Sequence, residues 1–334
     1  MAPSTIPKII LDTDPGGDDL FACLWLLSLV RQGLAELVAI TTTQGNVAAR
    51  RTFTTASQIL GLVGLPEIEV GRGVLVVGAE KGDASHIHGA DGMGNLSDTL
   101  PPAIHDWATA RSADDLMIEQ IRAAPGEMTI VAIGPLTNLA AAETRCPGIL
   151  RQAKQIVIMA GAFLCHGNVT PQAEFNVWFN PEAAETVLQS CHNTVVIPLD
   201  ITTRLVFTRA MARSVAQTNS THPIAQLLTG LCEFMIGTAL KYREISGIEG
   251  FLVHDAATIG YLFYPETLLL QRATVRVETE GHWTRGQTLF DRRHRAKATA
   301  NAWVALQVDE VGFFASFIAD LQALLGDSHD QGTV

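Results

Sequence analysis

Asp12-Thr13-Asp14-Pro15-Gly16-Gly17-Asp18-Asp19 follows the apolar triplet Ile9-Ile10-Leu11 and leads into an apolar stretch ending at Val30. The triplet reads as a buried strand, residues 18–30 as a helix, and the acidic segment as the turn between them. The same alternation continues outward. Residues 37–42 read as a strand and 47–62 as a helix, with a third strand at 68–70. Residues 112–124 form a helix opened by the capping box Ser112-x-x-Asp115. A strand at 129–133 precedes a helix from Leu136, and strands at 155–159 and 194–197 enclose a helix begun by Asn180-Pro181, an N-cap with proline at the first helical position. Repeated strand–helix alternation predicts an α/β fold, a mostly parallel central sheet flanked by helices on both faces. No repeat, low-complexity tract or linker divides the chain, so residues 1–334 are read as one domain. Two stretches, 71–107 and 161–180, lack clear periodicity. Each follows a predicted strand, and ligands of open parallel sheets bind outside the carboxyl ends of strands, so both stretches are expected to line one site.

The chain has 334 residues, 47% of them hydrophobic, which supplies ample core and excludes disorder. Acidic residues outnumber basic ones 34 to 23, for a net charge of −11. A chain of that sign repels a phosphate polymer, so no nucleic acid partner is expected. Five scattered cysteines without a CxxC pair fit a reducing compartment better than a disulfide framework. The first seven residues lack a basic stretch followed by an apolar one, and the apolar run 20–30 is too short for a bilayer, which needs about 20 residues. A cytoplasmic protein without membrane contact is expected.

The acidic turn carries the chemistry. Four carboxylates within one turn destabilise one another unless protons or a cation intervene. As helix-capping residues, Asp18 and Asp19 gain only about 0.3–1 kcal/mol each, which leaves the full set unexplained. Oxygen-only ligands select a hard ion, calcium or magnesium, over zinc. The spacing is not that of an EF-hand, which requires a further acid where Gly16 stands and a glutamate where Cys23 stands. A rival reading is an aspartyl-nucleophile phosphatase of the haloacid-dehalogenase-like class, with Asp-x-Asp after the first strand and Thr41-Thr42-Thr43 after the second. That class does not require Pro15-Gly16 or the pair Asp18-Asp19, and no late acidic pair follows a strand to hold its magnesium.

Asp-x-Asp-Pro-Gly-x-Asp-Asp resembles the opening motif of the inosine-uridine preferring nucleoside hydrolases. The resemblance runs from about Ile6 to Leu321. It includes Ile40-Thr41-Thr42 with Gly45-Asn46, His88-Gly89-x-Asp91-Gly92, and Gly134-Pro135-Leu136-Thr137-Asn138. Met159-Ala160-Gly161, Gly167-Asn168, Ala173-Glu174-Phe175-Asn176, His254-Asp255 and Arg285-Gly286-Gln287-Thr288 follow in order. The resemblance implies a Rossmann-like nucleoside hydrolase fold and calcium-dependent hydrolysis of the N-glycosidic bond of ribonucleosides to ribose and free base. It further implies a calcium site made by Asp14, Asp19, the Thr137 carbonyl and Asp255, completed by the ribose diol and a water. Asp14 would be the general base for that water. Asp18, Asn46, Asn168, Glu174 and Asn176 match ribose-binding positions, Met159 a contact near the sugar, and His88 a residue of the base pocket. His254 matches a residue placed to protonate the leaving base, its proton favoured by the adjacent Asp255. Members of the family form homodimers or homotetramers, and the same is expected here.

Read without the resemblance, several of these residues have plainer roles. His254 could cap or pack, His88 could be a surface histidine, and Asn46 could make a turn. If residues 174–176 are extended, Glu174 and Asn176 share a side. Trp178, Phe163 and Trp107 read as core or rim aromatics, and Arg292, Arg293, Arg295 and Lys297 as a solvated face. Three positions depart from the family pattern. Gly17 stands where a larger side chain is frequent, which suggests a looser turn. Asn180 replaces an aspartate, and Thr203 a histidine. Residues 242–253 cover the region where members differ in base preference. A catalytically idle nucleoside- or ribose-binding protein is the alternative from another class, but it would be expected to lose some of Asp14, Asp19, Asp255 or Asn176, and all are present.

Overall fold

The computed structural model describes residues 6–75, 83–242, 249–293 and 300–326. The strands are β1 (Lys8–Thr13), β2 (Glu36–Thr42), β3 (Glu69–Gly71), β4 (Met128–Ala132), β5 (Gln155–Met159), β6 (Thr194–Ile197), β7 (Val206–Thr208), β8 (Gly250–Leu252), β9 (Leu268–Val277), β10 (Thr288–Asp291) and β11 (Ala302–Val308). The helices are α1 (Gly17–Arg31), α2 (Ala49–Val63), α3 (Ser85–His88), α4 (Ala113–Ala123), α5 (Thr137–Arg145), α6 (Phe175–Phe179), α7 (Pro181–Ser190), α8 (Leu199–Thr202), α9 (Arg209–Ala216), α10 (Pro223–Tyr242), α11 (Ala256–Phe263) and α12 (Glu310–Gly326). Among the described residues the main sheet has the strand order β10-β9-β11-β6-β5-β4-β1-β2-β3. From β11 to β3 every neighbouring pair is parallel. Only β9 runs against its neighbours β11 and β10. The expected mostly parallel sheet is therefore present, with an antiparallel excursion at one edge.

Alternation along β1 explains the layers. Ile9 and Leu11 join a core with α1, α2 and α12, whereas Ile10 joins the opposite core with α4, α5 and α7. Both faces of the sheet are thus covered, and α1 is buried along nearly its whole length. The run β3-β2-β1-β4-β5-β6 reverses direction between β1 and β4, so the crevice outside their carboxyl ends is the switch point where α/β sheets take ligands.

Local signals held to different degrees. Asn180 caps α7 by accepting from the Ala183 N–H at 3.1 Å, with Pro181 at the first position. The capping box at Ser112 is not made. The Ser112 hydroxyl donates to the Asp115 carboxylate at 2.8 Å instead of accepting from backbone, although α4 begins where expected. His254-Asp255 immediately precede α11, which begins at Ala256. Among the described residues α10 is long and apolar enough to cross a membrane by length and composition, but it packs Leu227, Leu228, Leu231, Met235 and Ile236 into the core. At the far end of α1, Asp320 of α12 accepts from Trp25 Nε1 at 2.7 Å, the Tyr264 hydroxyl at 2.6 Å and Gln32 Nε2 at 3.1 Å.

Candidate active site

A cavity of about 360 Å³ opens at the carboxyl ends of β1, β4 and β5, a size suited to a small organic ligand. Asp14, Asp18, Asp19, Asn46, His88, Met159, Asn168, Glu174, Asn176, His254 and Asp255 all line it. Residues scattered across the chain therefore meet in one place. Both irregular stretches contribute, through His88 on one side and Asn168 to Asn176 on the other.

Carboxylates crowd the floor. Oxygens of Asp18, Asp19 and Asp255 lie within 4.8 Å of one another, and all three residues are buried. Asp14 stands beside them. Its Oδ2 accepts from the Asn46 N–H at 2.7 Å, while its buried Oδ1 has no hydrogen-bond partner among the described residues. Asp19 is held by the Thr13 hydroxyl at 2.6 Å, the Gly16 N–H at 3.0 Å and Asn46 Nδ2 at 2.9 Å. Asn46 thus grips both Asp14 and Asp19. Burial, then the charges of Asp19 and Asp18, push the Asp14 carboxyl well above the usual carboxylate range. Burial, then Asp18, Asp19, Asp14 and Glu174, do the same to Asp255. An orphaned buried oxygen beside three clustered carboxylates fits a hard divalent cation, which satisfies the oxygen and cancels the repulsion.

Two glycines form the cradle of Asp14. A Cβ on Gly45 would stand 2.1 Å from Asp14 Oδ2, and one on Gly134 would stand 2.4 Å from Oδ1. Gly45→Ala is therefore expected to displace the carboxylate and, with Asp14 as the expected general base, to lower kcat by about 10²-fold, the scale of an ångström-sized misplacement of a reacting group. Steady-state assays of the folded variant check this. Wild-type turnover would show that the carboxylate tolerates displacement.

Thr137 does not line the cavity, although it is the first residue of α5 beside it. Its hydroxyl accepts from Asn180 Nδ2 at 3.1 Å. Asp12 is likewise separate. It is fully buried and accepts from the Thr41 hydroxyl and Asn138 Nδ2, both at 2.7 Å, and burial raises its carboxyl to about 7. The phosphatase reading requires Asp12 as an exposed nucleophile. Its burial outside the cavity removes that reading.

Glu174, which also lines the cavity, is the N-cap of α6. Its carboxylate accepts from the N–H groups of Asn176 at 2.7 Å, Gly161 at 3.0 Å and Val177 at 3.1 Å. Glu174 and Asn176 therefore meet through a capping turn, not through an extended segment, because the helix starts between them. Asn176 Nδ2 donates to the carbonyls of Ile133 at 2.8 Å and Met159 at 3.1 Å, which directs its amide oxygen to the cavity. Asn168 sits at the exposed rim, its Oδ1 accepting from the Phe175 N–H at 2.9 Å.

Two imidazoles also line the cavity. The Gly17 N–H donates to His88 Nδ1 at 2.8 Å, so the neutral ring carries its proton on Nε2. Burial, with smaller effects of His254 and His86, lowers His88 to about 3. His254 Nδ1 lies 2.7 Å from the Thr202 hydroxyl. Burial lowers His254 to about 4, so Asp255 does not favour the charged ring as the adjacency suggested.

Further residues line the cavity outside the expected site set, among them Asp83, His86, Ile87, Val169, Phe175 and Trp178. The signal for the last two was the Glu174-Phe175-Asn176 motif, since Trp178 follows Phe175 by three positions on α6 and lies on the same side. Trp178 is a half-buried rim aromatic, Trp107 packs edge-on to Phe53, and Phe163 packs on Phe290. The turn at Gly17 is not loose. Met235 of α10 fills its space, with Sδ only 2.3 Å from where a Cβ would stand. In the basic run, Arg293 pairs with Asp291 at 2.7 Å, and Arg295 and Lys297 lie outside the described residues. Residues 243–248 of the segment linked to base preference also lie outside them.

Comparison with known proteins agrees with this geometry. A sequence model of the family described as inosine-uridine preferring nucleoside hydrolase matches residues 9–315. A protein named probable uridine nucleosidase 1 from Oryza sativa subsp. japonica is 34% identical over 298 residues, covering 89% of this chain and 88% of its own. Among solved structures, a plant nucleoside hydrolase superposes with a TM-score of 0.87 at 30% identity, covering 95% of this chain and 99% of its own. A purine-preferring ribonucleoside hydrolase from Gardnerella vaginalis gives a TM-score of 0.86 at 28% identity, covering 96% and 99%.

Proposed function

The chain belongs to the inosine-uridine preferring nucleoside hydrolases and is a ribonucleoside hydrolase, and on that premise we propose a calcium-dependent N-ribohydrolase that releases ribose and free base. The observation that carries the proposal is the buried trio Asp18, Asp19 and Asp255 beside the unpartnered Asp14 Oδ1, all within one cavity. Asp14, Asp19 and Asp255 would hold the ion, with the Thr137 carbonyl reaching it from the start of α5 beside the cavity. When bound, calcium orients the ribose diol and the attacking water and offsets the carboxylate charge.

The remaining work falls to side chains. Asp14 Oδ1 takes the proton from the water as it attacks the anomeric carbon. Asp18, Asn168, Glu174 and Asn176 hold the sugar, with Met159 beneath it. Glu174 and the other carboxylates favour the positive charge that develops on the ring. His88, through its Nε2–H, faces the base. His254, lowered by burial, would take up its proton as the substrate binds and assist the leaving base, which departs more easily once protonated. The chain acts as one domain, in the cytoplasm, as a homodimer or homotetramer.

A panel of purine and pyrimidine ribonucleosides, assayed for free base and ribose with added calcium and after chelation, tests the reading. Chelation is expected to abolish turnover, and calcium to raise Tm, because a ligand bound only by the folded state stabilises it by mass action. At calcium 100 times its Kd the gain is about 2.7 kcal/mol. Full turnover in protein shown metal-free by elemental analysis would end the calcium assignment.

A further inference from the structure

Thr202, the last residue of α8, is fully buried. Among the described residues its hydroxyl has one partner, His254 Nδ1, at 2.7 Å. Both ends of this bond stand on the same scaffold. The Leu199 N–H donates to the Gly161 carbonyl at 2.9 Å, and Asp200 accepts from the N–H groups of Phe163 at 2.9 Å and Leu164 at 2.7 Å. The Val253 N–H donates to the Leu205 carbonyl at 3.1 Å, which ties the backbone just before His254 to the segment leaving α8.

An imidazole has two broad χ2 orientations related by a half-turn, and that half-turn exchanges Nε2 for Cε1 at the cavity. With Nδ1 engaged by Thr202, Nε2 remains as the nitrogen available to the cavity that His254 lines. A hydroxyl both donates and accepts, so it holds the ring whichever nitrogen bears the proton. We propose that Thr202 is a positioning residue that fixes the ring of His254 with Nε2 toward the leaving base. This rests on the reading that His254 acts on that base. His88 is fixed separately, by the Gly17 N–H, and should not depend on Thr202.

Thr202→Val removes the hydroxyl and keeps the shape, Thr202→Ala provides a second hydroxyl-free variant, and Thr202→Ser keeps the hydroxyl. Expected for the hydroxyl-free variants is a fall in kcat on inosine and uridine of about 10–100-fold, the scale seen when an orienting hydrogen bond to a functional histidine is lost, with KM little changed. Thr202→Ser should retain most of the turnover. p-Nitrophenyl riboside, whose leaving group needs little protonation, should be affected much less. The double variant His254→Ala/Thr202→Val should be no slower than His254→Ala alone, because groups acting as a unit are not additive. In ¹⁵N-histidine NMR, the Nδ1 resonance of His254 should move in Thr202→Val while those of His88 stay. Wild-type turnover in both hydroxyl-free variants, multiplying losses in the double variant, or an unmoved His254 resonance would overturn the proposal. Equal losses of His254→Ala on inosine and on the activated riboside would instead overturn its role at the leaving base, and the double variant and the NMR comparison would still decide the role of Thr202.

Discussion

2-Deoxyribonucleosides are expected to be hydrolysed with kcat/KM lower by roughly 10⁴–10⁵-fold than the matching ribonucleosides, the range by which a site built around a hydroxyl rejects analogues lacking it. The acidic end of the cavity is the reason. Asp18, Asp19 and Asp255 present clustered oxygens there, and the Asn176 amide has both hydrogens committed to the Ile133 and Met159 carbonyls. Its oxygen can only accept, so it requires a donor such as a sugar hydroxyl. On the proposed function, removing the 2-hydroxyl would take away a calcium ligand and a hydrogen-bond donor together. Comparable specificity constants for uridine and 2-deoxyuridine would show that the diol is not read in this way.

Asp14→Asn should separate activity from stability. The substitution keeps the shape, and an amide oxygen can still accept from the Asn46 N–H that now reaches Oδ2 at 2.7 Å. It removes the base, so kcat should fall by roughly 10²–10⁴-fold on every nucleoside, whatever the leaving group. Stability without calcium should move the other way. Asp14, Asp18, Asp19 and Asp255 repel one another in a buried space, and a neutral amide relieves that repulsion. The Tm of the chelated variant is therefore expected to lie above that of the chelated parent. A lower Tm would mean that the Asp14 charge is compensated within the protein, against the cation reading.

The acidic turn and the strands β1 to β6 were legible because each signal is local. Apolar runs mark the strands, and the opening segment shows its carboxylates consecutively. The ordered motifs also carried the cavity-lining set, because a ligand needs particular side-chain types wherever they fall in the chain. What stayed illegible depends on contacts distant in sequence. Nothing near Thr202 announces His254, 52 positions later. The tautomer of His88 is set by the backbone of Gly17, 71 positions earlier. Met235 fills the space over Gly17 from another helix, so the glycine looked like slack when it is an accommodation. The strands β9 to β11, at the end of the sheet bounded by β10, mix polar and apolar residues because burial alternates irregularly along them. Local composition also misjudged Ser112, whose hydroxyl found a carboxylate before it found the backbone.

The bond between Trp25 and Asp320 has a consequence for synthesis on the ribosome. Asp320 lies 295 positions after Trp25. At about 5–20 residues per second, on the order of 15–60 s separate the emergence of α1 from that of the helix that covers its far end. For that interval the nascent chain displays a helix whose apolar side chains face every direction, Leu20, Phe21, Leu24, Trp25 and Leu27 among them. The same helix carries Asp18 and Asp19 in its first turn. The helix that carries Asp18 and Asp19 of the candidate site thus receives the cover over its far end from the last helix of the described chain to be translated.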